Sequence, residues 1–157
     1  MFRTIVLALD GSQASDRAIP VASELSRDGA KVVVAHIREV MVGRGATGLP
    51  AHADEDELEA KIRGQAQDLK DSGIDVVIDL GSAMAGGPAH VIADIARKEG
   101  ADLIVTGTRG HSPVAGLLLG SVTQRLLHIA PCPVLVVPAE HRPAAVAAGA
   151  KEAAATR

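Results

Sequence analysis

Five short runs of aliphatic and β-branched residues, separated by stretches with helical spacing, constrain this chain more than any other feature. They are Thr4–Leu9 (TIVLAL), Lys31–Ile37 (KVVVAHI), Ile74–Leu80 (IDVVIDL), Asp102–Thr106 (DLIVT) and Pro133–Val137 (PVLVV). Four of them are almost continuously apolar rather than alternating. That is the pattern of strands covered on both faces, hence of a parallel sheet flanked by helices. The third run is interrupted by Asp75 and Asp79 and reads as a half-exposed edge strand.

The intervening stretches supply the helices. Gln13–Arg27 sets Ala14, Ala18, Val21, Ala22 and Leu25 on one stripe, with Ser12 available as N-cap. Pro20 within it predicts a kink, or a bend at its start. Asp54–Ser72 reads as a mostly polar surface helix ending at Gly73, its charged face solvated. Pro88–Glu99 has proline in its first turn and Gly100 beyond its end, and Ser121–Ile129 stops ahead of Pro131. The order β-α-β-α-β-α-β-α-β predicts a doubly wound α/β domain with a five-stranded parallel sheet. Val40–Ala53, with Gly43, Gly45, Gly48 and Pro50, reads as a loop. The stretch 139–157, rich in alanine, reads as a disordered tail beyond a single domain, 1–138.

Composition removes several function classes. Hydrophobic residues are 47% and charged residues 22%, as in a globular domain. A net charge of −3 argues against a nucleic-acid partner, and with no Trp, no Tyr and one Phe there is no stacking platform for bases. No run reaches the roughly 18 apolar residues of a membrane span, and the first strand is too short for a secretory h-region. Cys132, the one cysteine, permits no internal disulfide and predicts a reducing, cytoplasmic setting. Flanked by Pro131 and Pro133, it reads as a small buried hydrophobe. The six histidines show no i, i+4 pair of the zinc-site kind.

In an open parallel sheet, ligands bind beyond the carboxyl ends of the strands, where the strand order reverses. The residues to read there are Asp10-Gly11-Ser12, His36-Ile37-Arg38, Gly107-Thr108-Arg109-Gly110-His111 and Gly120-Ser121-Val122-Thr123. Glycines let main-chain N–H groups approach a polyanion, and a helix opening at Ser121 offers orphan amides and the positive end of its dipole. Hydroxyls of Ser121 and Thr123 would add donors, and Arg109 a charge. Two readings fit this spacing: a phosphate cradle, or glycines that only shape turns ahead of an N-cap. Asp10 likewise reads either as a carboxylate for Mg²⁺ or as a cap for the helix near Ser12.

The spacing Gly107-x2-Gly110-x9-Gly120-Ser121 resembles the ATP-binding motif of the universal stress protein family, G-x2-G-x9-G-(S/T). The likeness continues through IVLALDGS, the HI after the second strand, Gly86-x-Pro88, ADLIVTGTRG, GLLLGSVTQRLL and APCPVLVVP, and so spans about residues 2–138. It implies a Rossmann-like sheet of order 3-2-1-4-5 and an ATP site. In that site Asp10 lies near the phosphates or their Mg²⁺, and Ile37 contacts adenine. Gly107, Gly110, Gly120, Ser121 and Val122 hold ribose and triphosphate, and Ala8, Thr106, Arg109 and Thr123 complete the candidate set. It also implies a homodimer through the last strand. The segment Gly81–Gly87 departs from the family, being longer than its usual turn before Pro88.

The expected function is a cytoplasmic, stress-related regulatory protein that holds ATP with little or no hydrolysis. The alternatives are a slow ATPase or nucleotidyl-transfer enzyme, with Asp10 on metal and His111 as proton acceptor, or a nucleotide-free dimeric scaffold. A phosphoryl-receiver reading is disfavoured, because the last strand ends without that chemistry's lysine.

Overall fold

A computed structural model describes residues 2–40, 51–84, 87–108 and 119–138. In chain order the elements are β1 (Thr4–Ala8), α1 (Gln13–Ser26), β2 (Lys31–Val40), α2 (Ala51–Asp71) and β3 (Val76–Met84). They continue with α3 (Pro88–Glu99), β4 (Leu103–Gly107), α4 (Ser121–Ile129) and β5 (Val134–Val137). The five strands form one sheet of order β3-β2-β1-β4-β5, every neighbouring pair parallel. The strand alternation sorts the apolar residues into two layers. Ile5, Leu7, Val32 and Val34 pack with Ala18 and Ala22 of α1 and Ile62, Ala66 and Leu69 of α2. Val6, Ala8, Val33, Ala35 and Ile104 pack with Ile92, Ala93 and Ala96 of α3 and Leu126 of α4 on the other face.

The winding goes from β1 outward to β3 and returns to add β4 on β1's other side, so the order reverses between β1 and β4. At the carboxyl ends of those strands lies the crevice that an open α/β sheet offers to ligands.

The structure moves several element boundaries. Strand β3 continues through Gly81, Ser82, Ala83 and Met84, residues expected in a long turn, because β2 also continues to Val40 and pairs with it, Ile37 opposite Gly81 and Val40 opposite Met84. A side chain at Gly81 would stand 3.1 Å from Ile37 Cδ1, so that glycine makes room for Ile37. Helix α2 begins at Ala51, inside the stretch expected to be loop, and α1 is continuous through Pro20. β3 is an edge, as its aspartates suggested. β5 is the other edge despite its apolar run, and Leu135 on it is 38% exposed. The remainder of the glycine-rich segment (41–50) and the tail (139–157) lie outside the described residues.

At the amino end of the sheet the polar groups are mutually satisfied. Asp102 Oδ2 accepts the amides of Arg3 at 2.7 Å and Thr4 at 3.0 Å, and these bonds hold its carboxyl below the usual carboxylate range. Lys31 Nζ donates to Glu99 Oε2 at 2.8 Å and lowers the Glu99 carboxyl likewise.

Candidate functional site

A cavity of about 450 Å³ opens at the carboxyl end of the sheet, within the range typical of small-molecule sites. Ala8, Asp10, Ile37, Thr106, Gly107, Gly120, Ser121, Val122 and Thr123 of the candidate set all line it. Arg109, Gly110 and His111 lie outside the described residues. Leu9, Ser15, His36, Arg38, Glu39, Glu55, Leu58, Pro88, Ile92 and Leu119 complete the wall. The wall thus combines apolar residues with the charged residues Asp10, Arg38, Glu39 and Glu55.

The β1–α1 turn contributes Asp10. Gly11 takes a φ of +76°, which a side chain would strain, and the chain then enters α1 with Ser12 as N-cap. Asp10 Oδ1 accepts the Ser12 amide at 3.0 Å, and Ser12 Oγ accepts the Ser15 amide at 3.3 Å. One oxygen of Asp10 thus supports the turn, the capping role weighed for it, while its residue still lines the cavity. Among the described residues no group of three His, Cys, Asp or Glu could enclose a metal ion.

Strand β4 and helix α4 form the opposite wall. Gly107 is required by packing: a Cβ there would stand 2.7 Å from the Ala14 carbonyl carbon and 2.8 Å from the Ser15 amide nitrogen. Its absence lets α1 rest directly on β4. The Gly120 amide donates to Thr108 O at 2.7 Å, and the Thr108 amide to Val137 O at 2.9 Å. Thr123, buried, donates its hydroxyl to Gly107 O at 2.9 Å. That hydroxyl is therefore not the free anion donor the sequence suggested; it ties α4 to the end of β4. The amides of Ser121, Val122 and Thr123, by contrast, open α4 without an acceptor among the described residues. Three orphan donors at the positive end of a helix, on a cavity wall, are suited to an anion.

The sequence reading missed the part played by His36 and Glu55. His36 is buried, and both its ring nitrogens are engaged. Leu9 O can only accept, so Nδ1 donates to it at 2.9 Å; Nε2 stands 2.9 Å from Glu55 Oε1, with one proton between them. Glu55 belongs to the face of α2 that was expected to be solvated. Position 36, an even residue in a strand whose even residues face α2, was the available signal; nothing in the sequence named its partner. Cys132 is half-buried, and burial, with Asp102 second, pushes its thiol up, against a nucleophilic role.

A doubly wound parallel sheet of order 3-2-1-4-5 with a cavity at its switch point puts the chain in the class of open α/β folds, whose ligands, where they bind, sit at that point. Sequence comparison narrows the class: residues 1–138 match the universal stress protein family, and the chain belongs to it. A universal stress protein of Thermus aquaticus is 38% identical over 138 residues, covering 87% of this chain and 99% of the relative. Among solved structures, a universal stress protein in complex with cAMP is 26% identical, with a TM-score of 0.60 and coverage of 88% and 98% of the two chains. The Archaeoglobus fulgidus protein in complex with dAMP is 25% identical, with a TM-score of 0.58 and coverage of 87% and 98%. No helix among the described residues is long and apolar enough to cross a membrane.

Proposed function

We propose that this protein is an adenine-nucleotide binder of the universal stress protein family, holding ATP at the carboxyl end of the sheet with little or no turnover. One observation carries the reading: Ser121, Val122 and Thr123 line the cavity, and their amides have no acceptor among the described residues. They would take phosphate oxygens, as helix N-termini do. Ile37, Pro88, Ile92 and Val122 would hold the base between aliphatic surfaces, with Ala8, Thr106 and Gly107 beneath it and Gly120 at the turn into α4. The cAMP and dAMP complexes of two relatives support an adenine ligand. Arg109 and Gly110 remain in the proposed set on the motif spacing alone. Mg²⁺, if it accompanies the nucleotide, would be held by Asp10 and the phosphates together, since this cation is commonly bound by one or two carboxylates plus phosphate oxygens.

Little turnover is supported by how two of the wall's ionisable groups are used. His36 is held between Leu9 O and Glu55, and Asp10 supports its own turn, so neither is poised as a base for water. The role is regulatory, in the cytoplasm.

Titration with ATP tests the reading. At 100 times its dissociation constant, the nucleotide should raise the unfolding free energy by about 2.7 kcal/mol, with negligible phosphate release. No thermal shift with ATP, ADP, AMP or cAMP would leave the family's fold without the proposed ligand, whereas rapid phosphate release would favour the ATPase reading.

A homodimer through β5 is the second part of the proposal. Among the described residues β5 has a partner only on its β4 side, and a bare apolar edge invites pairing. Val136→Lys should give a monomer by light scattering; an unchanged dimer would place the interface elsewhere.

A further inference from the structure

Helix α2 makes two polar connections toward the β1–α1 turn that its polar sequence does not announce, one through His36 and one direct. Near its start, Glu55 meets His36, and His36 donates to the carbonyl of Leu9. Further along, Lys61 Nζ donates to the carbonyl of Gly11 at 2.9 Å and to Asp16 Oδ2 at 2.8 Å, while Gln65 Nε2 donates to Asp16 Oδ1 at 2.8 Å. The residues gripped, Leu9 and Gly11, flank Asp10, which lines the cavity. The sheet holds this turn by the Leu9 amide, which donates to Ala35 O at 2.9 Å. β1 itself ends at Ala8, so beyond the sheet the geometry of the turn rests heavily on polar bonds from a helix.

We propose that α2 is a strap, with Glu55 (through His36) and Lys61 as positioning residues that hold the Leu9–Ser12 turn in the form that presents Asp10 to the ligand. Nucleotide affinity and the anchoring of the first half of α2 are then coupled. The apolar residues Ile62, Ala66 and Leu69 fasten the second half to the core, so the helix as a whole persists when the strap is cut. The coupling rests on the nucleotide reading above; the grip on the turn does not, and the two are measured separately.

The experiment compares wild type with Glu55→Ala, Glu55→Gln, Lys61→Met and, as a control at the opposite end of the sheet, Lys31→Met. Amide hydrogen exchange is followed at Leu9–Ser12 without nucleotide, and the ATP dissociation constant is measured by calorimetry. Cutting either grip should speed exchange in the turn and raise the dissociation constant about fivefold each, the equilibrium worth of one hydrogen bond. Glu55→Gln should keep exchange in the turn near wild type, because its side-chain amide can donate to His36 Nε2. Lys31→Met should lower the urea midpoint without moving the dissociation constant, a separation that general loosening of the fold would not give. Lys61→Met alters an exposed ammonium and keeps the stem, so it decides the matter even where Glu55→Ala folds poorly.

Unchanged exchange in the turn for Glu55→Ala and Lys61→Met overturns the strap. Faster exchange with an unchanged dissociation constant overturns the coupling, as does an equal loss of affinity in Lys31→Met. If wild type binds no nucleotide, the functional reading has failed and the exchange data still decide whether α2 grips the turn.

Discussion

At the amino end of the sheet Asp102 takes up the amides of Arg3 and Thr4 and Lys31 closes on Glu99, whereas at the carboxyl end the amides of Ser121, Val122 and Thr123 face a cavity. The same chemical groups occur at both ends. At one they are spent on each other; at the other, a set of donors has no acceptor among the described residues. The proposed function gives the ligand to the carboxyl end and a supporting part to the amino end.

The largest effect expected from this contrast is at α4. Ser121→Asp places a carboxylate where the phosphate would sit, and should weaken ATP binding by about 100-fold through like-charge repulsion. The same change should leave stability unchanged or raise it by about 0.3–1 kcal/mol, because an acidic residue suits a helix N-terminus. Calorimetry and urea unfolding of one variant thus move apart; a parallel loss in both would erase the distinction between the ends.

Gly107→Ala comes next. Although Gly107 lies at the carboxyl end, its Cβ would meet the main chain of Ala14 and Ser15, so the change should cost about 2–3 kcal/mol in urea unfolding. A fully stable Gly107→Ala protein that merely binds nucleotide less well would show that this glycine serves the ligand rather than the packing.

The smallest effect belongs to the amino end. Asp102 and Glu99 are held below the ordinary carboxylate range, so the folded protein binds their protons less readily than the unfolded chain. Their contribution is complete above about pH 5 and is lost as the pH falls through and below about 4. Asp102→Asn should flatten the acid limb of the stability profile and leave the ATP dissociation constant at neutral pH unchanged.

Much of this architecture is legible in the sequence because it depends on local rules. The four continuous apolar runs, Ser12 as N-cap, Gly100 after α3 and the start of α4 at Ser121 follow from periodicity and capping, and the structure has all of them. The errors share a cause. β3 extends to Met84 because β2 offers a partner to Val40, and pairing across strands is not written in either strand alone. Thr123 looked like a donor to ligand because its hydroxyl's acceptor, Gly107 O, is distant in sequence. The charged face of α2 looked solvated because nothing local shows that Glu55 ends on His36 and Lys61 on the β1–α1 turn. The cavity's floor was therefore readable, and the helix that helps shape its rim was not.

The most direct test follows the backbone amides themselves during an ATP titration by ¹⁵N NMR. The account predicts saturable shifts that are largest at Ser121, Val122 and Thr123, with Arg3 and Thr4 unmoved at the other end. Saturation that leaves the α4 amides where they were would contradict it.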